Sequence, residues 1–214
     1  MKGYIAAEDP VTFGIIHKIL GNVFPEFEII TELPARGGQV KSMIKHFNTL
    51  SETNPVILLT DLDNCDCAPR MLYEMLGTAK NDRFIFNIAV DEAEAWLMAD
   101  RQGFAEYFRL DESYIPNARL TRQGGRIERK EMDFRYKSSL FFGREIICNS
   151  SSKELIDQLT PKNGAKKGPE YNSVMLPFIS EKWNIESACL NSDSLQRMVS
   201  RIRNLRQISL AGQS

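Results

Sequence analysis

The feature that most constrains this chain is an apolar run that ends in two carboxylates, residues 56–63 with the sequence VILLTDLD. The run predicts a buried strand with Asp61 and Asp63 at its carboxyl end. Side chains two positions apart lie on the same side of a strand. Two carboxylates held that close repel each other unless a cation lies between them or one keeps a proton. The spacing favours a hard divalent cation such as Mg²⁺, whereas the alternative is a turn that leads into a helix cap.

Length and composition indicate a globular protein. The 214 residues are enough for one well-buried core, or for a compact domain with an added helical part. The hydrophobic content of 43% and the charged content of 26% are ordinary for soluble proteins. No apolar run approaches the roughly 20 residues that span a bilayer, and the N-terminus leads into a short strand instead of a secretory signal. We therefore expect a cytoplasmic protein with no membrane partner.

Several chemistries are disfavoured by the motifs that the sequence lacks. The four cysteines form no Cys-X-X-Cys pair and the two histidines lie in unrelated segments, which argues against a structural zinc site or a disulfide framework. A phosphate-binding Gly-X-X-X-X-Gly-Lys-Ser/Thr loop is absent, as is a Gly-X-Ser-X-Gly nucleophile elbow. We therefore expect any metal to be bound by oxygen ligands.

Strand and helix patterns alternate over residues 1–109, which predicts an α/β core with a mainly parallel sheet flanked by helices. Ligands of such sheets gather at the carboxyl ends of the strands. Acids follow three predicted strands there, and we predict that they converge on one edge and bind metal. For each glutamate alone, the alternative is a helix first turn that favours negative charge. The five acids are Glu8, Asp61, Asp63, Glu92 and Glu94.

Residues 110–214 predict a basic, mainly helical region packed on that core. The chain has a net charge of −1, but the first half is acidic and the second half is basic. Residues 120–137 are polar and basic, and are interpreted either as a mobile loop that follows a phosphate backbone or as a solvated insertion. The turn at 162–169 contains Lys166 and Lys167 beside glycines, and is either a phosphate contact or a surface turn. The remaining predicted elements are a short strand within 141–148 and helices over 151–159, 171–183 and 194–206.

The acids resemble those of the TOPRIM domain, which has a glutamate after its first strand, Asp-X-Asp after a later strand and further acids after the next. Topoisomerases, primases and overcoming-lysogenization-defect (OLD) nucleases share that domain. The closer resemblance is to an uncharacterised bacterial group of TOPRIM-like proteins. The chain departs from the usual pattern by having Asp9 where TOPRIM domains have glycine. The stretches that carry the resemblance are Ala7-Glu8-Asp9 and residues 59–63, 90–100 and 167–172.

The resemblance implies a TOPRIM-like fold and an endonuclease, dependent on Mg²⁺ or Mn²⁺, that cleaves DNA phosphodiesters. Two metal ions would stabilise the attacking water and the leaving oxygen. A lysine would neutralise the charge that develops on the phosphate. The implied metal ligands are Glu8, Asp61 and Asp63, with Glu92 or Glu94 as a second site or general base and Lys166 or Lys167 as the lysine.

The resemblance also implies partners. Proteins of this group are often encoded beside ABC-type ATPases in bacterial defence islands, so antiphage defence is an implied role. The alternative is a non-catalytic TOPRIM-like subunit that binds an ATPase partner or nucleic acid. A third hypothesis is phosphoryl or nucleotidyl transfer by the same acids. DNA and RNA both stay open as substrates, and an oligomer is compatible with the sequence.

Overall fold

The computed structural model describes residues 1–34, 39–62, 68–77, 79–123 and 126–212. The chain forms two compact units, one of Met1–Ala89 with Arg197–Ser214 and the other of Val90–Gln196. The boundary predicted after Arg109 therefore falls inside the second unit. None of the helices within the described ranges is both long enough and apolar enough to cross a membrane.

The first unit contains a four-stranded sheet in which every neighbouring pair is parallel. The strand order is β2-β1-β3-β4, and a helix follows each of the first three strands. This confirms the predicted α/β class with a parallel sheet flanked by helices. The elements are β1 (Lys2–Ala7), α1 (Pro10–Val23), β2 (Glu28–Pro34), α2 (Gln39–Leu50), β3 (Val56–Asp61), α3 (Ala68–Leu76) and β4 (Phe84–Ala89).

Local sequence explains why the sheet and its first helix form. Residues 56–59 of β3 have no exposed surface, as expected for a parallel strand covered on both faces. The side chain of Asp9 caps α1 by accepting a hydrogen bond of 2.9 Å from the backbone N–H of Thr12. Pro10 takes the first helical position, where no N–H is needed. The residue that departs from the TOPRIM pattern thus has a defined structural role as a helix cap.

The register of the strands brings their carboxyl ends to one edge of the sheet. Ala6 of β1 lies opposite Leu58 of β3, and Asp61 of β3 lies opposite Ala89 of β4. Glu8, two residues beyond Ala6, is therefore level with the end of β3. The strand order thus places Glu8, which follows β1, next to Asp61, the last residue of β3.

The described part of the second unit consists mainly of short helices, with one antiparallel hairpin, which confirms a largely helical C-terminal part. Its last helix, α10, begins in this unit, and the part from Arg197 onwards belongs to the first unit. The elements are α4 (Ala93–Met98), α5 (Arg101–Phe108), β5 (Ala118–Gln123), β6 (Arg126–Met132), α6 (Ser138–Phe141), α7 (Lys153–Leu159), α8 (Tyr171–Pro177), α9 (Ile185–Cys189) and α10 (Asp193–Ala211).

The strand predicted within 141–148 is wrong. The chain continues from α6 into a π-helical turn at Phe142–Ile146 and a 3₁₀ turn at Ile147–Asn149. The ring of Phe142 packs against those of Phe104 and Phe108, with centroids 5.1 Å away in both cases. A short apolar run has the same composition in a buried helix as in a buried strand, and the aromatic cluster selects the helix.

Much of the basic stretch at 120–137 pairs as the two antiparallel strands of a hairpin, β5 and β6, where a mobile loop was one of the two predictions. The hairpin is attached through buried Glu131, which accepts hydrogen bonds from the hydroxyl groups of Ser192 (2.7 Å) and Ser194 (2.9 Å). Ser194 in turn accepts a hydrogen bond of 2.8 Å from the indole N–H of Trp96. The predicted basic stretch therefore has a buried acid as its anchor.

Candidate functional site

In the first unit, a hydrogen bond joins the ends of β1 and β3. The hydroxyl of Thr60 donates to Oε1 of Glu8 at 2.7 Å. Thr60 is buried, while Glu8 and Asp61 are half-buried and reach the surface at this edge. Since Asp61 follows Thr60 directly, the structure places two of the five predicted acids at neighbouring strand ends.

Asp63, the partner of Asp61 in the Asp-X-Asp pattern, lies outside the described residues, as do Cys65 and Cys67. Leu62, the last described residue before this gap, donates its backbone N–H to the carbonyl of Ala89 at 3.0 Å. In the described ranges, no three or more His, Cys, Asp or Glu side chains form a group that could hold a metal ion. The described acids at this edge are Glu8 and Asp61.

In the second unit, Glu92 precedes α4 and is only 6% exposed. The backbone N–H of Ser139 donates to its Oε2 at 2.9 Å, and the ammonium of Lys137 lies 3.2 Å from its Oε1. A buried carboxylate is stable only when it is paired and hydrogen-bonded. The residues around α6 provide both functions for Glu92.

Glu94, in the first turn of α4, is 4% exposed and has a different pair of partners. The ammonium of Lys167 lies 2.8 Å from its Oε1, and the hydroxyl of Tyr171 donates to the same oxygen at 3.0 Å. Lys167 also lies over the Tyr171 ring, 4.6 Å from the centroid. Of the two predicted lysines, Lys167 thus contacts a predicted acid, and Lys166 is exposed on the preceding turn.

Asp91, directly before Glu92 in the second unit, is absent from the predicted site. Its backbone is left-handed, with φ of 69°. Its Oδ2 atom is buried without a hydrogen-bond partner in the described structure, and the backbone N–H of Ser138 donates to the carboxylate. The pKa of Asp91 is raised from 3.8 to about 7. Burial is the largest cause, and the negative charge of Glu92 is the second. A carboxyl group of this kind can hold or release a proton near neutral pH.

Comparison with known proteins gives a distant likeness. No family model matches the sequence, and no curated protein matches it. Among solved structures, the chain is similar to the C-terminal region of the Burkholderia pseudomallei OLD protein, with 13% sequence identity and a TM-score of 0.42. The similarity covers 95% of this chain and 98% of that chain.

Sequence reasoning missed three groups that complete the acid contacts of the second unit. Asp91 stands directly before Glu92, so the run of acids was visible, but its hydrogen-bond partner Ser138 is distant in sequence. Lys137 was visible only as one of many basic residues of the stretch 120–137. Tyr171 lies in the stretch 167–172 that carries the family resemblance, and that position was the signal for a site residue.

Proposed function

We propose that the protein is a divalent-metal-dependent nuclease that cleaves DNA phosphodiester bonds with Mg²⁺ or Mn²⁺. The observation that supports this proposal is the hydrogen bond from Thr60 to Glu8, which holds the carboxylate of β1 beside the end of β3. The same strand end supplies Asp61. Carboxylate oxygens on adjacent strand ends are the donors that hard divalent cations prefer, and a buried hydroxyl that orients one of them is a typical outer-shell contact.

The proposed roles follow from these contacts. Glu8, Asp61 and Asp63 would hold the cation, and Thr60 would fix the orientation of Glu8. A bound divalent cation supplies a nucleophilic water at neutral pH and stabilises charge on the phosphate oxygens. Thr60 orients Glu8 before any metal binds, which would lower the cost of assembling the site.

Glu92 and Glu94 are the proposed second set of carboxylates, acting as metal ligands or as a general base. Each already has a lysine partner within the second unit, Lys137 for Glu92 and Lys167 for Glu94. A cation that binds either carboxylate would compete with that lysine. Lys167, or Lys166 beside it, would neutralise charge on the phosphate, as a fixed cation does in phosphoryl transfer.

The test is nicking of supercoiled plasmid DNA with Mn²⁺ and with Mg²⁺. Glu8→Gln keeps an oxygen that can accept the Thr60 hydrogen bond but removes the negative charge. Asp61→Asn likewise removes a negative charge, at the end of β3. We expect both variants to lose metal-dependent nicking. Glu52→Gln removes the same charge from an exposed position after α2 and is the matched control, with unchanged nicking. Equal nicking by the wild type and Glu8→Gln would refute the proposal, as would no nicking with any divalent ion beside a candidate ATPase.

The second candidate is a non-catalytic subunit that binds an ATPase partner or nucleic acid. The ion pairs of Glu92 and Glu94 favour it, because these acids are compensated by lysines and require no metal for folding. Calorimetric titration with Mn²⁺ separates the two candidates. Binding that is lost in Asp63→Asn supports the nuclease, whereas no binding to the wild type supports the interaction subunit.

A further inference from the structure

The first unit contains a pocket beside β4 that the proposed function does not use. It has a volume of about 190 Å³ and lies between the start of β4 and α10. Its apolar lining residues are Phe84, Ile85, Phe86, Leu205 and Ile208. Its polar lining residues are Lys80, Asp82, Arg201 and Asn204. The pocket therefore combines two cations with an apolar wall.

Both cations are held in place by backbone carbonyl groups of β4. The ammonium of Lys80 donates to the carbonyl of Phe84 at 2.9 Å and to that of Asn81 at 2.8 Å. The Nη1 atom of Arg201 donates to the carbonyl of Phe86 at 2.8 Å and to Oδ1 of Asn87 at 3.0 Å. An ammonium has three N–H donors and a guanidinium has five, so these contacts leave donors on both groups for a ligand.

Positive charge accumulates at this pocket. Burial lowers the pKa of Lys80, and the charge of Arg201 lowers it further. Burial likewise lowers the pKa of Arg201, with a smaller contribution from Arg197 one helical turn earlier. Asp82 is the one acid among the described residues that line the pocket, and its negative charge raises the pKa of Lys80. Arg197 and Arg201 are four residues apart on α10, and like charges at that spacing destabilise a helix. A bound anion would relieve this repulsion.

We propose that this pocket binds the phosphate group of a ligand through Lys80 and Arg201. Guanidinium and ammonium groups are the side chains that recognise phosphate oxygens most often, and here both are fixed before binding. Pockets for drug-sized ligands occupy roughly 300 to 1,000 Å³, so a space of 190 Å³ suits a single phosphate group with the rest of the ligand outside. The phosphate belongs either to a free nucleotide or to a nucleic-acid backbone.

The pocket is separate from the acids of the proposed nuclease site. It lies at the amino end of β4, whereas Glu8 and Asp61 lie at the carboxyl edge of the same sheet. Phe86, the lining residue furthest along β4, lies three residues before Ala89, so about 10 Å of strand separates the pocket from the position opposite Asp61, which is too far for one phosphate group to touch both places. Phosphate binding and DNA cleavage can therefore be tested independently of each other. Asp61→Asn is expected to bind phosphate like the wild type.

The test is calorimetric titration of the full chain with inorganic phosphate, at constant ionic strength and with EDTA present. We expect Lys80→Met and Arg201→Met each to weaken binding by about tenfold, the equivalent of about 1.4 kcal/mol. Arg203→Met removes the same charge from an exposed position two residues along α10 and should bind like the wild type. Asp82→Asn should bind phosphate more tightly, because it removes the opposing charge.

Two further measurements complete the test. Arg201 also contacts β4, so the unfolding midpoint of each variant is measured. If Arg201→Met does not fold, the single variants Lys80→Met and Asp82→Asn decide the test. Competition by AMP but not by a 5′-hydroxyl oligodeoxynucleotide supports a free nucleotide as the source, and competition by the oligonucleotide supports the backbone. The proposal is overturned if the wild type does not bind phosphate. An equal loss in Arg203→Met and Lys80→Met, which indicates non-specific attraction, also overturns it.

Discussion

Replacing Asp91 with asparagine should make the second unit more stable at neutral and alkaline pH. The folded chain holds the pKa of this carboxyl at about 7, against 3.8 in the unfolded chain. Below about pH 4 the group is protonated in both states and has no effect on stability. Between about pH 4 and pH 7 only the folded state keeps the proton, so the wild type loses stability as the pH rises. Asparagine has no charge to bury and removes this loss.

The expected gain follows from the size of the pKa difference. A rise from 3.8 to about 7 corresponds to an upper limit of about 4 kcal/mol in the free energy of unfolding. Part of the carboxyl remains accessible to solvent, and screening reduces the effect to about 2 to 3 kcal/mol. Asparagine is also suited to the left-handed backbone at this position and offers an oxygen to the N–H of Ser138.

The assay is urea unfolding in EDTA at several values between about pH 5 and about pH 8.5. Both tryptophans, Trp96 and Trp183, are buried in the second unit, so their fluorescence reports on the unit that contains Asp91. Asp157→Asn, at an exposed position of α7, is the matched control and should follow the wild type at every pH. If Asp91→Asn and the wild type differ by the same amount at both ends of the range, burial of a charged carboxylate is not the cause.

Two other predictions concern packing and buried charge. Lys167→Met should destabilise the second unit by about 1 to 3 kcal/mol because it leaves the Glu94 carboxylate buried without its cation, and adding Glu94→Gln should restore most of that loss in urea unfolding. Gly3→Ala should lower the thermal midpoint of the first unit, since an added Cβ would lie 2.5 Å from the carbonyl oxygen of Pro55. Gly21→Ala is the comparison, because nothing lies within 4 Å there and helix propensity predicts a gain of about 0.5 to 1 kcal/mol. Equal midpoint changes in the two glycine variants would contradict this reasoning.

The parallel sheet could be predicted because the apolar sequence of a strand such as β3 indicates that the strand is buried. The run at 56–59 is apolar at every position, as expected for a parallel strand covered on both faces, and the Asp9-Pro10 pair marks the start of α1. The neighbouring positions of Glu8 and Asp61 follow from parallel strands with aligned carboxyl ends. These inferences depend on local sequence and one topological rule.

Other parts depend on contacts between distant residues. The strand predicted at 141–148 failed because the aromatic cluster around Phe142 decides its conformation. The hairpin was missed because charged residues obscure its alternation, although Gly124 and Gly125 between its strands are a known hairpin signal in sequence. The partners of Glu92 and Glu94 lie far along the chain. No local pattern predicts that Lys137 pairs with Glu92 and Lys167 with Glu94.

The contacts of Lys80 and Arg201 with β4 have a second consequence, for association between molecules. β4 is the last strand of its sheet, and an edge strand offers its outward carbonyl groups to any other strand that approaches. The two cations already occupy the carbonyls of Phe84 and Phe86, and they place charge along that edge. A variant without both cations is therefore expected to form sheet-extended aggregates, which thioflavin fluorescence and light scattering would detect in solutions where the wild type stays clear.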